Sequence, residues 1–275
     1  MPVSGARKPF SRAPQPGPAE WDNAIFLAGP FLQLSVVVPV RNEAENVTPL
    51  VQEIHAALDG RGDFEVIYVD DGSTDETPAR LKAALAQYPR LRVIAHEKSC
   101  GQSAAVMTGV RAAKGDWIAT LDGDGQNDPA DIPKLLAARD AGGGNVVLVS
   151  GYRKKRQDSA VKRLSSKIAN SVRSTLLGDS TPDTGCGLKL LARATYLELP
   201  FFDHMHRFLP ALVQRAGGAT IIVEVNHRPR TRGRSNYGTL DRLWVGIVDL
   251  LGVMWLKRRA ARPQAREVAR EAKRP

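Results

Sequence analysis

Cysteine is nearly missing from this chain. Two residues in 275 can build neither a disulfide scaffold nor a four-thiolate zinc site, and so low a count fits a cytosolic protein. Histidine is scarce, at five, and no His/Cys cluster is expected to compete for a transition metal. The first 30 or so residues contain no uninterrupted apolar core of the kind an export signal needs, and no internal repeat runs through the chain. What remains is an ordinary globular composition, 43% hydrophobic and 25% charged, which excludes wholesale disorder. The length suffices for one large α/β domain or two small ones with a buried core.

Charge is plentiful but unevenly placed. The net +10 divides into −6 over residues 35–150, with 11 basic and 17 acidic side chains, and +15 over residues 151–275, with 25 basic and 10 acidic. An acidic front half joined to a strongly basic back half points to an anionic partner: nucleic acid, a phosphate ligand or an anionic membrane.

Residues 1–33, rich in Pro, Gly, Ser and Ala, read as a disordered tail, and 257–275 as a basic one. Between them, short Val/Ile-rich runs (34–40, 64–70, 91–96, 117–122 and 145–150) alternate with helical stretches (45–58, 77–87, 101–113 and about 129–141). Ser73 or Thr74 is placed to cap the second helix. This alternation predicts an α/β fold with a mostly parallel sheet flanked by helices. After Ser150 it breaks down into a basic helix over 162–177, a strand or turn near 185–193, a short helix at 208–216 and a strand at 219–228. The chain divides into a folded domain over 34–239, with halves 34–150 and 151–239, and a separate helix over 240–256.

Two acidic turns follow strands: Asp70-Asp71-Gly72-Ser73-Thr74-Asp75 and Asp122-Gly123-Asp124-Gly125-Gln126-Asn127-Asp128. In open α/β sheets ligands bind beyond the carboxyl ends of the strands. Asp122 and Asp124, two apart across glycine, can aim carboxylates into one volume, and with the amide oxygen of Gln126 they form a hard oxygen set suited to Mg²⁺ or Mn²⁺. The plain alternative is that Asp and Gly only mark turns and caps. A calcium EF-hand loop is excluded, because Pro133 stands where its position-12 glutamate belongs.

The strings VVVPVRNEAENV, VDDGSTDET and GQSAAVMTGVRAAKGDWIATLDGDGQNDP resemble, in order and spacing, the family 2 glycosyltransferases of the GT-A, Rossmann-like fold. That resemblance implies that Pro39, Arg41, Glu43 and Asp71 meet the base and ribose of a nucleotide-sugar donor. It also makes Asp122 and Asp124 the DxD element, with Asp124 and Gln126 on the metal. Arg41 stands where many relatives place an aromatic; a guanidinium also stacks on a base.

Residues 151–175 hold eight basic side chains against Asp158 alone. A solvated helix face accounts for some such runs. Nucleic acid is not expected, because the segment has one aromatic, Tyr152, and no nucleic-acid-binding signature. The pieces GYR (151–153), KRLSSKIANS (162–171), DTGCGLKLLAR (183–193), HRFLPAL (206–212) and HRPRTRGRSNYG (227–238) resemble those of dolichol-phosphate mannosyltransferases and bacterial polyprenyl-phosphate sugar transferases. By that resemblance Arg153, Arg163, Ser166, Arg230 and Ser235 hold the lipid phosphate or donor diphosphate, with Arg153 beside Asp122 and Asp124 at the reaction centre. The last motif ends in Asn236 where the family has Lys. The implied activity is inverting, metal-dependent transfer of one sugar to a polyprenyl phosphate, in cell-envelope glycan biosynthesis. A non-lipid acceptor, or a non-catalytic membrane-bound partner in glycan assembly, are the alternatives. His204, His206 and His227 are expected to pack or hydrogen-bond rather than act as bases.

Residues 240–256 are the one expected lipid contact. Leu243–Leu256, 14 residues and so about 21 Å long as a helix, falls short of a ~30 Å hydrocarbon core, and Asp249 interrupts it. Leu240, Leu243, Trp244, Ile247, Leu251, Met254 and Trp255 follow helical spacing, with Arg242, Gly246 and Asp249 as a polar edge and Lys257-Arg258-Arg259 behind. This predicts an amphipathic interfacial helix and a peripheral protein on the cytoplasmic face of the membrane. Packing against the domain, a second copy or a membrane protein is the alternative.

Overall fold

The computed structural model describes residues 34–154, 173–179, 181–229 and 239–261. The tail at 1–33, residues 262–275, and the expected basic helix apart from its helical end at 173–177 lie outside them. The candidates Arg163, Ser166, Arg230 and Ser235 do so too.

Seven strands form one sheet: β1 (Leu34–Val40), β2 (Phe64–Asp70), β3 (Leu91–Ala95), β4 (Trp117–Thr120), β5 (Val146–Tyr152), β6 (Lys189–Ala192) and β7 (Ala219–Glu224), in the order β3-β2-β1-β4-β6-β5-β7. The central strands are buried along nearly their whole length, as continuous apolar runs covered by helices on both faces must be. The helices are α1 (Ala44–Leu58), α2 (Thr77–Leu85), α3 (Gln102–Ala112), α4 (Ile132–Ala141), α5 (Arg193–Glu198), α6 (Leu209–Ala216) and α7 (Thr239–Arg258). Proline in the first turn of α2, α4 and α6 presets φ where no amide donor is needed. The start of α2 differs from expectation: its N-cap is Glu76, which makes no side-chain cap hydrogen bond. Asp75 Oδ1, not Ser73 or Thr74, accepts from the Thr77 amide at 2.9 Å, because Ser73 and Thr74 are bonded to Asn42 across the neighbouring strand end.

Two features of the sheet position the site. The chain winds outward from β1 through β2 to β3, then returns to place β4 on β1's other side. This opens the crevice at the carboxyl ends of β1 and β4 where open α/β sheets bind ligands. Beyond β4, the four-residue β6 runs antiparallel to both neighbours, pairing Thr120 with Lys189 and Ser150 with Lys189. Reversal brings the first residue of β6, and the turn before it, to that same crevice. β7 then pairs parallel with β5.

The helix at the C-terminal end is longer than expected, spanning Thr239–Arg258. One side packs on the core through fully buried Val253, with Leu250, Met254 and Leu256 against the same cluster. Trp244, Ile247, Val248, Leu251 and Trp255 stand exposed on the other side. Two expectations are corrected. Met254 belongs to the packed side rather than the exposed stripe. Asp249 turns inward to within 3.2 Å of the His204 ring, because helical spacing puts it on the side that meets the 202–208 turn. No helix among the described residues is long and apolar enough to cross a membrane.

Candidate active site

The loop after β4 is built to approach β1 closely. A Cβ on Gly123 would lie 2.4 Å from Val40 Cγ1 and 2.9 Å from the Pro39 carbonyl oxygen, so only glycine lets Asp122 and Asp124 sit at this strand end. Asn127 Oδ1 accepts from the Asp122 amide at 3.0 Å, and Asp124 Oδ1 from the Gln126 amide at 3.1 Å, which curls the loop on itself. Asp122 Oδ1 accepts from Gln102 Nε2, in the first turn of α3, at 2.7 Å. The turn before β6 presses on the far side of Asp122. A Cβ on Gly187 would lie 2.2 Å from Asp122 Oδ2, and Thr120 Oγ1 donates to the Gly187 carbonyl at 2.7 Å.

Asp122 and Arg153 line one cavity of about 460 Å³ together with Pro39, Gln102, Asp183 and Lys189. Burial, then the neighbouring charge of Asp124, pushes the Asp122 carboxyl up to about 6, against the pull of Lys189 and Arg153. Repulsion of this kind between carboxylates is relieved by a proton or by a bound cation. Gln126 Nε2 points to the Arg228 carbonyl at 3.5 Å, an orientation that leaves its amide oxygen as the remaining donor atom. Two carboxylates and an amide oxygen fit a divalent hard cation.

Arg153 enters the cavity as half of a buried fork. Its Nε and Nη2 donate to Asp183 Oδ2 and Oδ1 at 2.7 and 2.9 Å, with side-chain exposures of only 12% and 5%. Burial would lower the guanidinium's pKa, but the Asp183 carboxylate outweighs it and holds it above its usual value. Lys189 lies on the floor, buried, donating to the carbonyls of Thr184 and Cys186, and burial pulls its pKa down. His206 meets Ser103 Oγ at 2.7 Å through Nδ1. Burial, then the charges of Lys189 and Arg207, holds its pKa well below the ordinary value, so it is neutral at pH 7 and a weak base.

The expected donor residues divide. Pro39 lines the cavity. Arg41 is exposed past the end of β1, and Glu43 accepts from Asn46 Nδ2 at 2.7 Å. Asp71 is buried and saturated: His96 Nδ1, Ser99 Oγ, and the Cys100 and Gly101 amides all lie 2.7–2.9 Å from its two oxygens. Burial opposes ionisation there, but these hydrogen bonds, the Cys100 amide foremost, hold the carboxyl below its usual range. Asp71 therefore fixes the 96–101 turn, and a contact with a ligand requires one of these bonds to be exchanged.

The absence of a His/Cys cluster is also corrected. Asp71, His96 and Cys100 offer ligand atoms within 4.8 Å of one another, because β2 and the turn after β3 end side by side. With every Asp71 lone pair engaged, a cation there would have to displace one of its donors. Asp183, Lys189, Gln102 and Ser103 were not singled out by sequence reasoning. Asp183 and Lys189 sit within the quoted eleven-residue motif 183–193, and an Asp and a Lys among its mostly small and apolar residues were the available signal.

The acidic loop sits at a sheet crossover, where open α/β sheets bind ligands, beside a cavity lined by Arg153, Arg207 and Lys189. Residues 35–199 match the model of glycosyl transferase family 2, and the chain belongs to that family. It is 37% identical over 237 residues to dodecaprenyl-phosphate galacturonate synthase of Rhizobium johnstonii, covering 84% of this chain and 69% of the relative. It is 36% identical over 210 residues to undecaprenyl-phosphate 4-deoxy-4-formamido-L-arabinose transferase of Edwardsiella ictaluri, covering 75% and 63%. The chain thus spans about two thirds of the length of these relatives. The structure is similar to glucosyl-3-phosphoglycerate synthase from Mycobacterium tuberculosis in complex with Mn²⁺ and UDP-glucose. The TM-score is 0.62 at 21% identity, over 90% of this chain and 84% of that one, a likeness that establishes the GT-A fold.

Proposed function

We propose that this protein transfers a single sugar from a nucleotide-sugar donor to a polyprenyl phosphate, with inversion at the anomeric carbon and with Mg²⁺ or Mn²⁺ held by Asp124 and Gln126 beside Asp122. The names of the curated relatives support the acceptor class, and the solved relative with Mn²⁺ and UDP-glucose supports the donor class and the cation.

One observation carries the choice of a phosphate over a hydroxyl acceptor. A sugar or protein hydroxyl needs a general base, and the cavity carboxyl tuned for that role, Asp122 at about 6, is on this reading engaged by the cation. Its two carboxylates are Asp122, beside the cation set, and Asp183, which is committed to Arg153. His206, its histidine, is buried and a weak base. A phosphate monoester is already ionised at neutral pH and needs charge neutralisation instead, which the Arg153 guanidinium, held charged in the cavity wall, supplies. In the step itself an acceptor phosphate oxygen attacks the anomeric carbon, the bond from that carbon to the donor diphosphate breaks, and the nucleoside diphosphate leaves with the electron pair. The cation, when bound, neutralises the diphosphate. Arg153, held in a fixed fork by Asp183, orients the anionic groups without reorganising. The test is binding: with Mn²⁺ present, one of UDP or GDP is expected to bind measurably in calorimetry and to lose most of that affinity with EDTA. Equal affinity with and without Mn²⁺ contradicts the cation's place.

The exposed stripe of α7 supports a place at a membrane surface. Trp244 and Trp255, 69% and 60% exposed, stand at its two ends, and Arg258 and Arg259 follow in solvent. Lys257 does not join them: its Nζ donates to Leu177 O and Gln214 Oε1. Replacing both tryptophans by alanine removes the amphipathic anchors of an interfacial helix. Binding to vesicles containing anionic lipid is expected to fall by at least about tenfold, with the fold intact because neither side chain packs on the core. Unchanged sedimentation with vesicles contradicts this placement.

A further inference from the structure

The chain leaving β7 crosses the acidic loop. Asn127 and His227 form an isolated antiparallel bridge. The Arg228 amide donates to the Gln126 carbonyl at 3.0 Å, while Gln126 Nε2 reaches back to the Arg228 carbonyl. Gln126 is therefore paired with Arg228 through both its main chain and its side chain. The segment is pinned from two further directions. The Asn226 amide donates to Asp131 Oδ2 at 2.6 Å, and Asn226 Nδ2 to Asp128 Oδ2 at 3.0 Å. The Arg228 guanidinium then spans two elements, with Nη1 on Glu53 of α1 at 2.7 Å and Nη2 on Asp128 at 2.5 Å.

A partly exposed ion pair by itself is worth little. The unusual feature here is its place. The guanidinium is 33% exposed and touches neither the cavity nor a carboxylate of the cation set. Its main chain, however, is the partner that sets which way the Gln126 carboxamide faces. Groups that orient metal ligands in this way commonly change affinity by about 10–100-fold when lost.

We propose that Arg228 is a positioning residue for the cation site. By clamping segment 226–228 to Glu53 and Asp128, it holds Gln126 with its amide nitrogen turned to the Arg228 carbonyl and its amide oxygen turned to the cation. This rests on the reading of Asp122, Asp124 and Gln126 as the cation set. It makes a prediction that charge alone does not: arginine is a cation, so deleting it should tighten a nearby divalent ion if electrostatics dominates, and loosen it if positioning does.

The experiment is a titration of the full chain with Mn²⁺ alone, read by the electron paramagnetic resonance of free ion, alongside circular dichroism melts. Arg228→Met is expected to raise the Mn²⁺ dissociation constant by about tenfold. Arg228→Lys, which keeps the charge but loses the two-element fork, is expected to raise it by about threefold, and it serves alone should Arg228→Met not fold. Constants equal to or below wild type in the folded variants overturn the inference and leave the cation reading standing. A wild-type chain that takes up no Mn²⁺ overturns the cation reading, and this inference with it.

Discussion

Asp124→Ala is expected to lower sugar transfer by at least about a thousandfold while leaving the protein folded. The effect on activity follows from the chemistry of the loop. Asp124 is one of two carboxylates that make this strand end a hard oxygen site, and losing a preorganised partner of developing charge costs about 10²–10³ in rate even where a single hydrogen bond is involved. The effect on stability should be small, and in a telling direction. Asp124 is half-buried on a turn and makes one local hydrogen bond, to the Gln126 amide. Its charge is also the second cause, after burial, of the raised Asp122 carboxyl. The variant relieves a repulsion, so the Asp122 carboxyl should move down from about 6 toward the ordinary range. Turnover of labelled donor, a melting curve and a carboxyl titration by NMR check the three parts. Near wild-type turnover in the variant, persisting with chelator, contradicts the assignment.

Asp183→Asn is the second large effect, and it should strike activity and stability together. The Arg153–Asp183 fork is enclosed, and removing one partner of a buried pair costs about 3–5 kcal/mol because the other charge is left uncompensated. Asparagine can still accept one of the two hydrogen bonds, so the lower end is expected, with a fall in melting temperature of roughly 6–12 °C. Measured well below that temperature, transfer should drop at least about a hundredfold, because an arginine freed from its fork no longer presents a fixed geometry to phosphate. A variant that melts early but turns over normally when folded would show Asp183 to be structural only.

Much of this was legible in the sequence, for physical reasons that differ from part to part. The first-half strands announce themselves because parallel strands covered on both faces need unbroken Val/Ile runs, and LSVVVPV and FEVIYVD are buried as such. Asp122 and Asp124 were legible because glycine between and after carboxylates at a strand end is locally unusual. The rest depends on tertiary placement. β6 is four residues long, too short for periodicity to give its direction, so nothing in KLLA foretold that Lys189 would arrive beside Thr120. Asp183 looked like one acid in a basic half until the fold put Arg153 against it. Asp249 read as a polar edge because helical spacing fixes angular position but not which side faces the protein. Asp71 was legible as a strand-end carboxylate, whereas its four donors come from a turn about 25 to 30 residues away.

The most direct measurement of the central claim is partition of label. The protein is incubated with Mn²⁺, a panel of labelled nucleotide sugars, and either undecaprenyl phosphate or none, and the organic phase is counted. One donor is expected to give an organic-soluble product that depends on both the lipid phosphate and the cation, and that releases its labelled sugar into the aqueous phase on mild acid cleavage. If no donor labels the lipid while one labels a water-soluble hydroxyl acceptor, the acceptor assignment is wrong, and with it the argument that the cation engages the cavity's base.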